Sequence, residues 1–431
     1  MMNMEEPSVL DYVKAKLRFW ERGRQADLLR EETPPSAPKE PPPEEAPLRR
    51  LPWRALLALG LALLAQRSFE HPHTSWRPGL LFYFLAFSAL GWAILHGEWP
   101  LTEPPADEER DEPFTVRLLP LVFSLVLALA AFLDFGGNLF TRRNVTLWLL
   151  AMASFFGAFY LGRLDLRAYR DRLLAFLRRE RWQITITRWT LLLLAAIALV
   201  SFFRLHNLTI TPAEPFSDHA EKILDIYDIT QGWTRIFFPR NTGREGFQMY
   251  WTLLIARIFG TGLSFLSLKL GTALLGLFTL PYIYLLGVEL GNRRVGLLAM
   301  VFAGIAYWPN VISRVGLRFP LYPLFVAPTF YYLFRGLRTQ NRNDFLLAGL
   351  FLGIGLHGYS PFRIVPLVVV IAFALYLLHA QSRGRRLQAL SWLLILAMTS
   401  FLVFLPLARY ALERPDLFNY RALSRLGTLE R

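Results

Sequence analysis

Long apolar runs, separated by short polar segments rich in arginine, repeat along the whole chain. In the first half they occupy residues 56–64, 80–95, 118–135, 145–161 and 189–203. In the second half they occupy 266–286, 295–308, 319–334, 345–356, 364–378 and 387–407. Most approach the ~20 residues that carry an α-helix across ~30 Å of hydrocarbon. The runs 56–64 and 345–356 are shorter and need flanking residues or a thinner bilayer. Backbone inside hydrocarbon must satisfy its own polar groups, so the pattern predicts an all-α, polytopic transmembrane helical bundle of about 11 spans.

The polar segments set an expected order and direction. Residues 8–30 predict a helix with Leu10, Val13, Leu17 and Trp20 on one face and Lys14, Arg18, Arg22 and Arg24 around it. Such a helix lies on an anionic membrane surface or is simply solvated. Residues 33–47 form a Pro/Glu-rich linker. The chain thus divides into 1–50, a cytoplasmic helix and linker; 51–187, a four-span extension; and 188–431, a transmembrane core with an outer loop at 207–262. A cytoplasmic N-terminus returns the chain to the cytoplasm at the arginine-rich segment 163–188, as the positive-inside bias requires. The stretch 247–262 is apolar but short, and Arg257 would sit near its middle at a cost of roughly 2.5–3.5 kcal/mol. Read as an interfacial helix that does not cross, it leaves Arg293/Arg294, Arg335/Arg338/Arg342 and Arg383/Arg385/Arg386 all cytoplasmic, and the chain ends outside near Tyr410. The acidic loop 103–112 carries little weight in this rule. Trp53, Trp76, Trp99 and Trp308 at span ends read as interfacial anchors.

Charge and composition then exclude several classes. The net charge of +14 invites a nucleic-acid partner, but the basic residues lie in loops between spans, where topology explains them, so none is expected. There is no cysteine, hence no disulfide framework and no thiol chemistry. The charged N-terminus shows no cleavable signal peptide. The expected location is the plasma (inner) membrane.

Candidate chemistry concentrates in the outer segment 209–245, TITPAEPFSDHAEKILDIYDITQGWTRIFFPRNTGRE. A helix is predicted from Ser217 or Asp218 to about Thr230, stopped by Gly232, with Ala220, Ile223, Leu224 and Tyr227 as an apolar stripe and Asp218, Glu221, Asp225 and Asp228 as an acidic one. Asp218 and Glu221 have the spacing of a capping box, so Asp218 is either a helix cap or a catalytic carboxylate. His219 has no second histidine at metal spacing and reads as a solvent-facing or interface histidine. A divalent metal on Asp218, Glu221 and Asp225 is a lesser reading than a solvated acidic face, and no cofactor is expected. Arg244 and Glu245 read as an ion pair with each other. Arg314 and Arg318 are positive on the outer side, against the topological bias, which suits phosphate binding or snorkelling to lipid headgroups. Tyr359 and Arg363 mark another outer turn.

The arrangement resembles the GT-C membrane glycosyltransferases, closest to bacterial proteins of the protein-O-mannosyltransferase and aminoarabinose-transferase type. The resemblance is carried by FFRLHNL at 202–208, SDHAEKILDIYDI at 217–229, FFPRNTGREGFQMYW at 237–251, YLLGVELGNRRVGLLA at 284–299 and SRVGLRFPLYPLF at 313–325, in that order, and covers roughly residues 188–431. It implies inverting transfer of a sugar from a polyprenyl-phosphate donor to a glycan, lipid or protein acceptor at the outer face. The catalytic base maps to Asp218, with Glu221 one turn on, and Arg244, Arg314, Arg318 and Arg363 are the candidates for the donor phosphate. Where the family has Asp-Glu this chain has Asp-His. The short C-terminus leaves room for a partner subunit. A transporter or flippase, or a non-catalytic scaffold, is the alternative; the scarcity of charge within the spans argues against an ion-coupled transporter.

Overall fold

The computed structural model describes residues 51–70, 76–99, 115–162, 170–171, 174–176 and 186–426. The predicted helix 8–30, the linker 33–47, the acidic loop 103–112 and most of the arginine segment 163–188 lie outside the described residues.

Helices dominate, and most start and stop where the apolar runs do. The first four are α1 (Trp53–Ser68), α2 (Trp76–Leu95), α3 (Leu118–Asp134) and α4 (Arg142–Phe159). After α5 (Arg188–Leu205) comes the outer loop, with α6 (Ser217–Thr230), the strands β1 (Phe237–Phe238) and β2 (Arg244–Glu245), and α7 (Phe247–Ile258). Then follow α8 (Phe265–Leu290), α9 (Arg293–Ile305), α10 (Tyr307–Arg314), α11 (Leu321–Thr339), α12 (Arg342–Leu356), a 3-10 turn (Ser360–Ile364), α13 (Val365–Leu378), α14 (Arg386–Glu413) and α15 (Pro415–Leu426). Short polar side chains fix several starts. Thr141 and Asn144 form a reciprocal capping box on α4, Thr187 and Thr190 one on α5, and the Asn292 side chain accepts two backbone N–H groups at the start of α9.

Among the described residues, five segments are long and apolar enough to cross a membrane: α2, α5, α8, Ser360–Leu378 and α14. The pair α9 and α10, bent by 57°, makes a sixth if taken as one span. Length and composition do not carry the count to eleven, because α1 and α12 have 16 and 15 residues and α4 and α11 begin or end in arginines. Side-chain burial has the inside-out pattern of a bundle in lipid. Ala58, Ala65, Ala86, Ala89 and Ala93 are buried, while Leu63, Phe84, Leu118 and Leu119 are exposed. Small residues at helix contacts with large apolar ones facing out is how helices pack in a bilayer.

Polar contacts gather the helix ends into two groups. At one end, Arg314 donates to the carbonyls of Phe203 and His206, the Phe247 N–H donates to His357, and the Gly137 N–H donates to Glu413. At the other, Arg54 pairs with Glu98, His379 meets the Trp99 carbonyl, Arg342 donates to Thr115 and Arg338 pairs with Glu289. Helix α7 begins at the first end with Phe247. The next helix begins there too, since Lys269 donates to the carbonyls of Thr209 and Pro212. Its 12 residues therefore do not carry the chain to the opposite end, as Arg257 led the sequence to predict.

Candidate active site

The site is built on one short strand pair. β1 and β2 are antiparallel, with Phe237 opposite Glu245 and Phe238 opposite Arg244. Successive side chains on a strand point to opposite faces. Arg244 and Glu245 are therefore not partners of each other, and each anchors a separate charge network.

On one face, Arg244 enters the acidic side of α6. It bonds to Glu221, lies 3.6 Å from Asp225 and 4.0 Å from Asp218. Arg240 joins it, 2.9 Å from Asp225 and 2.8 Å from Asp228. The acidic stripe of α6 is thus turned toward the strand pair, one of the two orientations, toward water or toward a cavity, that the sequence leaves open. Asp225 is buried beneath the strand pair, and the apolar Leu224 and Tyr227 are half exposed, because the two arginines draw the carboxylates inward. Burial raises the Asp225 carboxyl above its ordinary value, more than Arg240 and Arg244 lower it.

On the other face, Glu245 is wholly buried. It accepts from Arg318 at 2.8 Å, from Arg363 at 2.9 Å and from the Ser360 hydroxyl at 2.9 Å. Burial alone would push its carboxyl up, but the two guanidinium groups and the hydroxyl outweigh it and hold it below the ordinary carboxylate value. Arg363 also donates to the Phe418 carbonyl and stacks on the Phe418 ring at 3.7 Å, and Arg318 sits 5.5 Å from the Tyr359 ring.

Asp218 is not a helix cap. The N-cap is Phe216, and Asp218 is the second residue of α6. Its carboxylate accepts from the Asn241 amide at 2.6 Å and its side chain is 39% exposed, against 2% for Asp225 and 0% for Glu245. His219 makes the reach-back that the capping-box reading gave to Glu221: its Nδ1 accepts the Phe216 N–H at 3.1 Å, while Nε2 donates to the Val315 carbonyl at 2.6 Å. Glu221 instead pairs with Arg244.

Arg314 stands apart from the other arginines. It donates to three carbonyls, those of Phe203, His206 and Thr211. Two cations that the sequence did not single out lie with it. Lys269 is buried against the carbonyls of Thr209 and Pro212, and Arg204 is buried against Pro309, Ser313 and Ala303. These three bond to carbonyls and a hydroxyl rather than to carboxylates, so the positive charge they bring is not neutralised. The signal in the sequence was a lysine and an arginine placed near span ends on the outer side, which the positive-inside bias disfavours. Among the described residues no three His, Cys, Asp or Glu side chains are gathered as a metal ion needs; arginines stand between the acids of α6.

Residues 247–410 match the family model described as dolichyl-phosphate-mannose-protein mannosyltransferase. Over these residues the chain is similar to that GT-C family. The matched segment, less than half of the chain, runs from α7 almost to the end of α14 and contains Arg314, Arg318, Tyr359 and Arg363. Asp218, Glu221, Arg244 and Glu245 precede it. No curated protein and no solved structure matches the chain. The match supports a membrane glycosyltransferase with a polyprenyl-phosphate sugar as donor.

Proposed function

We propose that this glycosyltransferase works at the outer face of the membrane by inverting transfer, with Asp218 as the base. The observation that carries the reading is the contrast among the site carboxylates. Asp225 and Glu245 are buried in arginine networks, whereas Asp218 takes its hydrogen bond from the Asn241 amide, stands at the 4.0 Å edge of the Arg244 network and is 39% exposed. A carboxylate so placed can orient an acceptor hydroxyl or amine and take its proton. The acceptor oxygen or nitrogen attacks the anomeric carbon, the sugar–phosphate bond breaks, and polyprenyl phosphate leaves as an anion. Cations stabilise that charge, and no second acid is needed to protonate it. Arg314 is the first candidate for the phosphate, with Lys269 beside it in the cluster whose charge no carboxylate offsets. Arg318 and Arg363, held together by Glu245, are further candidates for the phosphate on the second face. Arg244 and Glu221 set the position of Asp218.

The same reading makes α1 to α5, α8, the bent pair α9 and α10, and α11 to α14 eleven crossings, with the N-terminus cytoplasmic and Tyr410 on the outer side. What supports it is the alternation of these segments between the two groups of ends, with Arg293, Arg294, Arg338 and Arg342 at the end away from the site.

The test is transfer of labelled mannose from polyprenyl-phosphate mannose to membrane acceptors, with purified chain in lipid nanodiscs. Asp218→Asn keeps an acceptor for Asn241 and leaves the start of α6 intact, so the protein should fold normally while turnover falls about 10²–10⁴-fold. Turnover at the wild-type level would remove Asp218 as the base. In the same preparation, native mass spectrometry should show polyprenyl phosphate bound to the wild type and lost from Arg314→Gln.

A further inference from the structure

The helices before α5 precede the segment that matches the family, and the structure gives one pair of them a role at the site. We propose that the turn between α3 and α4 is a positioning element for transfer, with Asn138 as its central residue. The proposal rests on the reading that the strand pair carries the transferase site.

Residues 138–140 run antiparallel to residues 234–237 of the outer loop. The Asn138 side-chain amide donates to the Phe237 carbonyl at 2.8 Å, and its Oδ1 accepts the Phe237 N–H at 2.8 Å. The Asn138 carbonyl accepts the Ile236 N–H at 3.1 Å, and Leu139 forms a β-bridge with Arg235. The Phe140 N–H donates to Thr234 at 2.7 Å, and the Thr234 hydroxyl donates to the Phe140 carbonyl at 2.6 Å. One edge of β1 is therefore held by the N-terminal helices, and the other carries β2 with Arg244 and Glu245.

The residue type is what this geometry demands. Asn138 has φ +63°, a left-handed conformation that asparagine tolerates better than most residues. Its amide both donates and accepts, as an aspartate carboxylate cannot. Phe237 is 2% exposed, so no water replaces the two bonds if the amide is lost. The turn is itself fixed from beneath. Asn144 donates to the carbonyls of Asp134 at 3.1 Å and Leu139 at 2.9 Å, and Glu413 of α14 accepts the Gly137 N–H at 3.3 Å. A site held in place before substrate arrives is one whose groups lose no time or free energy finding their geometry.

The experiment uses the full chain in nanodiscs and Asn138→Gly, which keeps the left-handed backbone and removes the clamp. Two quantities are read: amide exchange in residues 232–246, and kcat and donor KM per folded molecule with polyprenyl-phosphate mannose. Exchange in this loop should rise while α8 and α14 stay unchanged, and kcat should fall about tenfold or more, a larger change than in KM. Either readout at the wild-type level overturns the proposal: unchanged exchange means that the turn does not hold the loop, and unchanged kcat per folded molecule means that it stabilises the loop without positioning the site. If the wild-type chain transfers nothing from this donor, the functional reading fails and exchange alone judges the clamp. If Asn138→Gly does not fold, Thr234→Val, which removes one bond at the far end of the clamp, is read in the same way.

Discussion

His219 shows how one side chain can fix a helix start. It satisfies the backbone at the start of α6 and ties that helix to Val315, next to Arg314. Both bonds require the neutral ring, one nitrogen accepting and the other donating. Burial pushes the imidazole below its ordinary value; Lys222 adds to this, and the bond to Val315 and the charge of Asp218 work against it. The folded chain thus binds this proton less readily than the unfolded chain, whose value is about 6.5. Its contribution to stability is complete above about pH 6.5 and declines as pH falls below it. His219→Gln keeps a side chain favoured at this helix position and should remove the slope. His219→Ala should cost about 1–3 kcal/mol by leaving buried backbone groups unpaired. Thermal unfolding between about pH 5 and 8 reads both, and a wild-type slope in His219→Gln would show that another group titrates.

At the scale of elements, helix α12, 15 residues long, packs closely against α14. Gly349 and Gly353 lie four residues apart on one face of it. A Cβ at Gly349 would come within 2.5 Å of the Leu396 carbonyl, and one at Gly353 within 2.5 Å of Val403 Cβ and 2.8 Å of the Ser400 carbonyl. This is the small-residue spacing that lets helices approach closely in lipid. Since α12 delivers His357, whose carbonyl accepts the first N–H of α7, and leads into Ser360 and Arg363, the contact also places one wall of the site. Gly353→Val should cost about 1–3 kcal/mol, seen as a lower melting temperature in detergent. Gly60→Ala, with nothing within 4 Å of the added Cβ, should not lower it. The helices themselves were legible, because an apolar run between polar caps is a local signal: the run 118–135 became Leu118–Asp134, and 387–407 became part of Arg386–Glu413. What could not be read was pairing across the chain. Asn138 meets Phe237 ninety-nine positions away and Glu245 meets Arg363 one hundred and eighteen away, and no periodicity marks such contacts. Hence Arg244 and Glu245 looked like partners when strand alternation sends them apart, and the sequence left open whether the acids of α6 face water or a cavity, because the arginines that draw Asp225 inward lie on another element.

For the whole molecule, the two groups of helix ends make sidedness testable without disturbing the site. The chain has no cysteine, so a single introduced thiol reports on one place alone. Ala213 is exposed on the loop between α5 and α6, at the end that carries Asp218. Arg383 is exposed before α14, at the end where His379 meets Trp99. If the arginine-rich ends are cytoplasmic, as the positive-inside bias requires, a membrane-impermeant maleimide should label Ala213→Cys in spheroplasts and label Arg383→Cys only after permeabilisation. The reverse pattern would put Asp218 and the arginine networks in the cytoplasm, where the donor sugar would be drawn from the inner leaflet. Labelling of both in sealed spheroplasts would mean that an even number of segments crosses between them, not the five proposed. Only the first pattern fits a base that faces outward while the lipid tail of its donor stays in the bilayer, and it gives the buried Glu245 its reason. A carboxylate at the membrane surface can hold Arg318 and Arg363 in register for an anion because the strand beneath it is pinned from both edges.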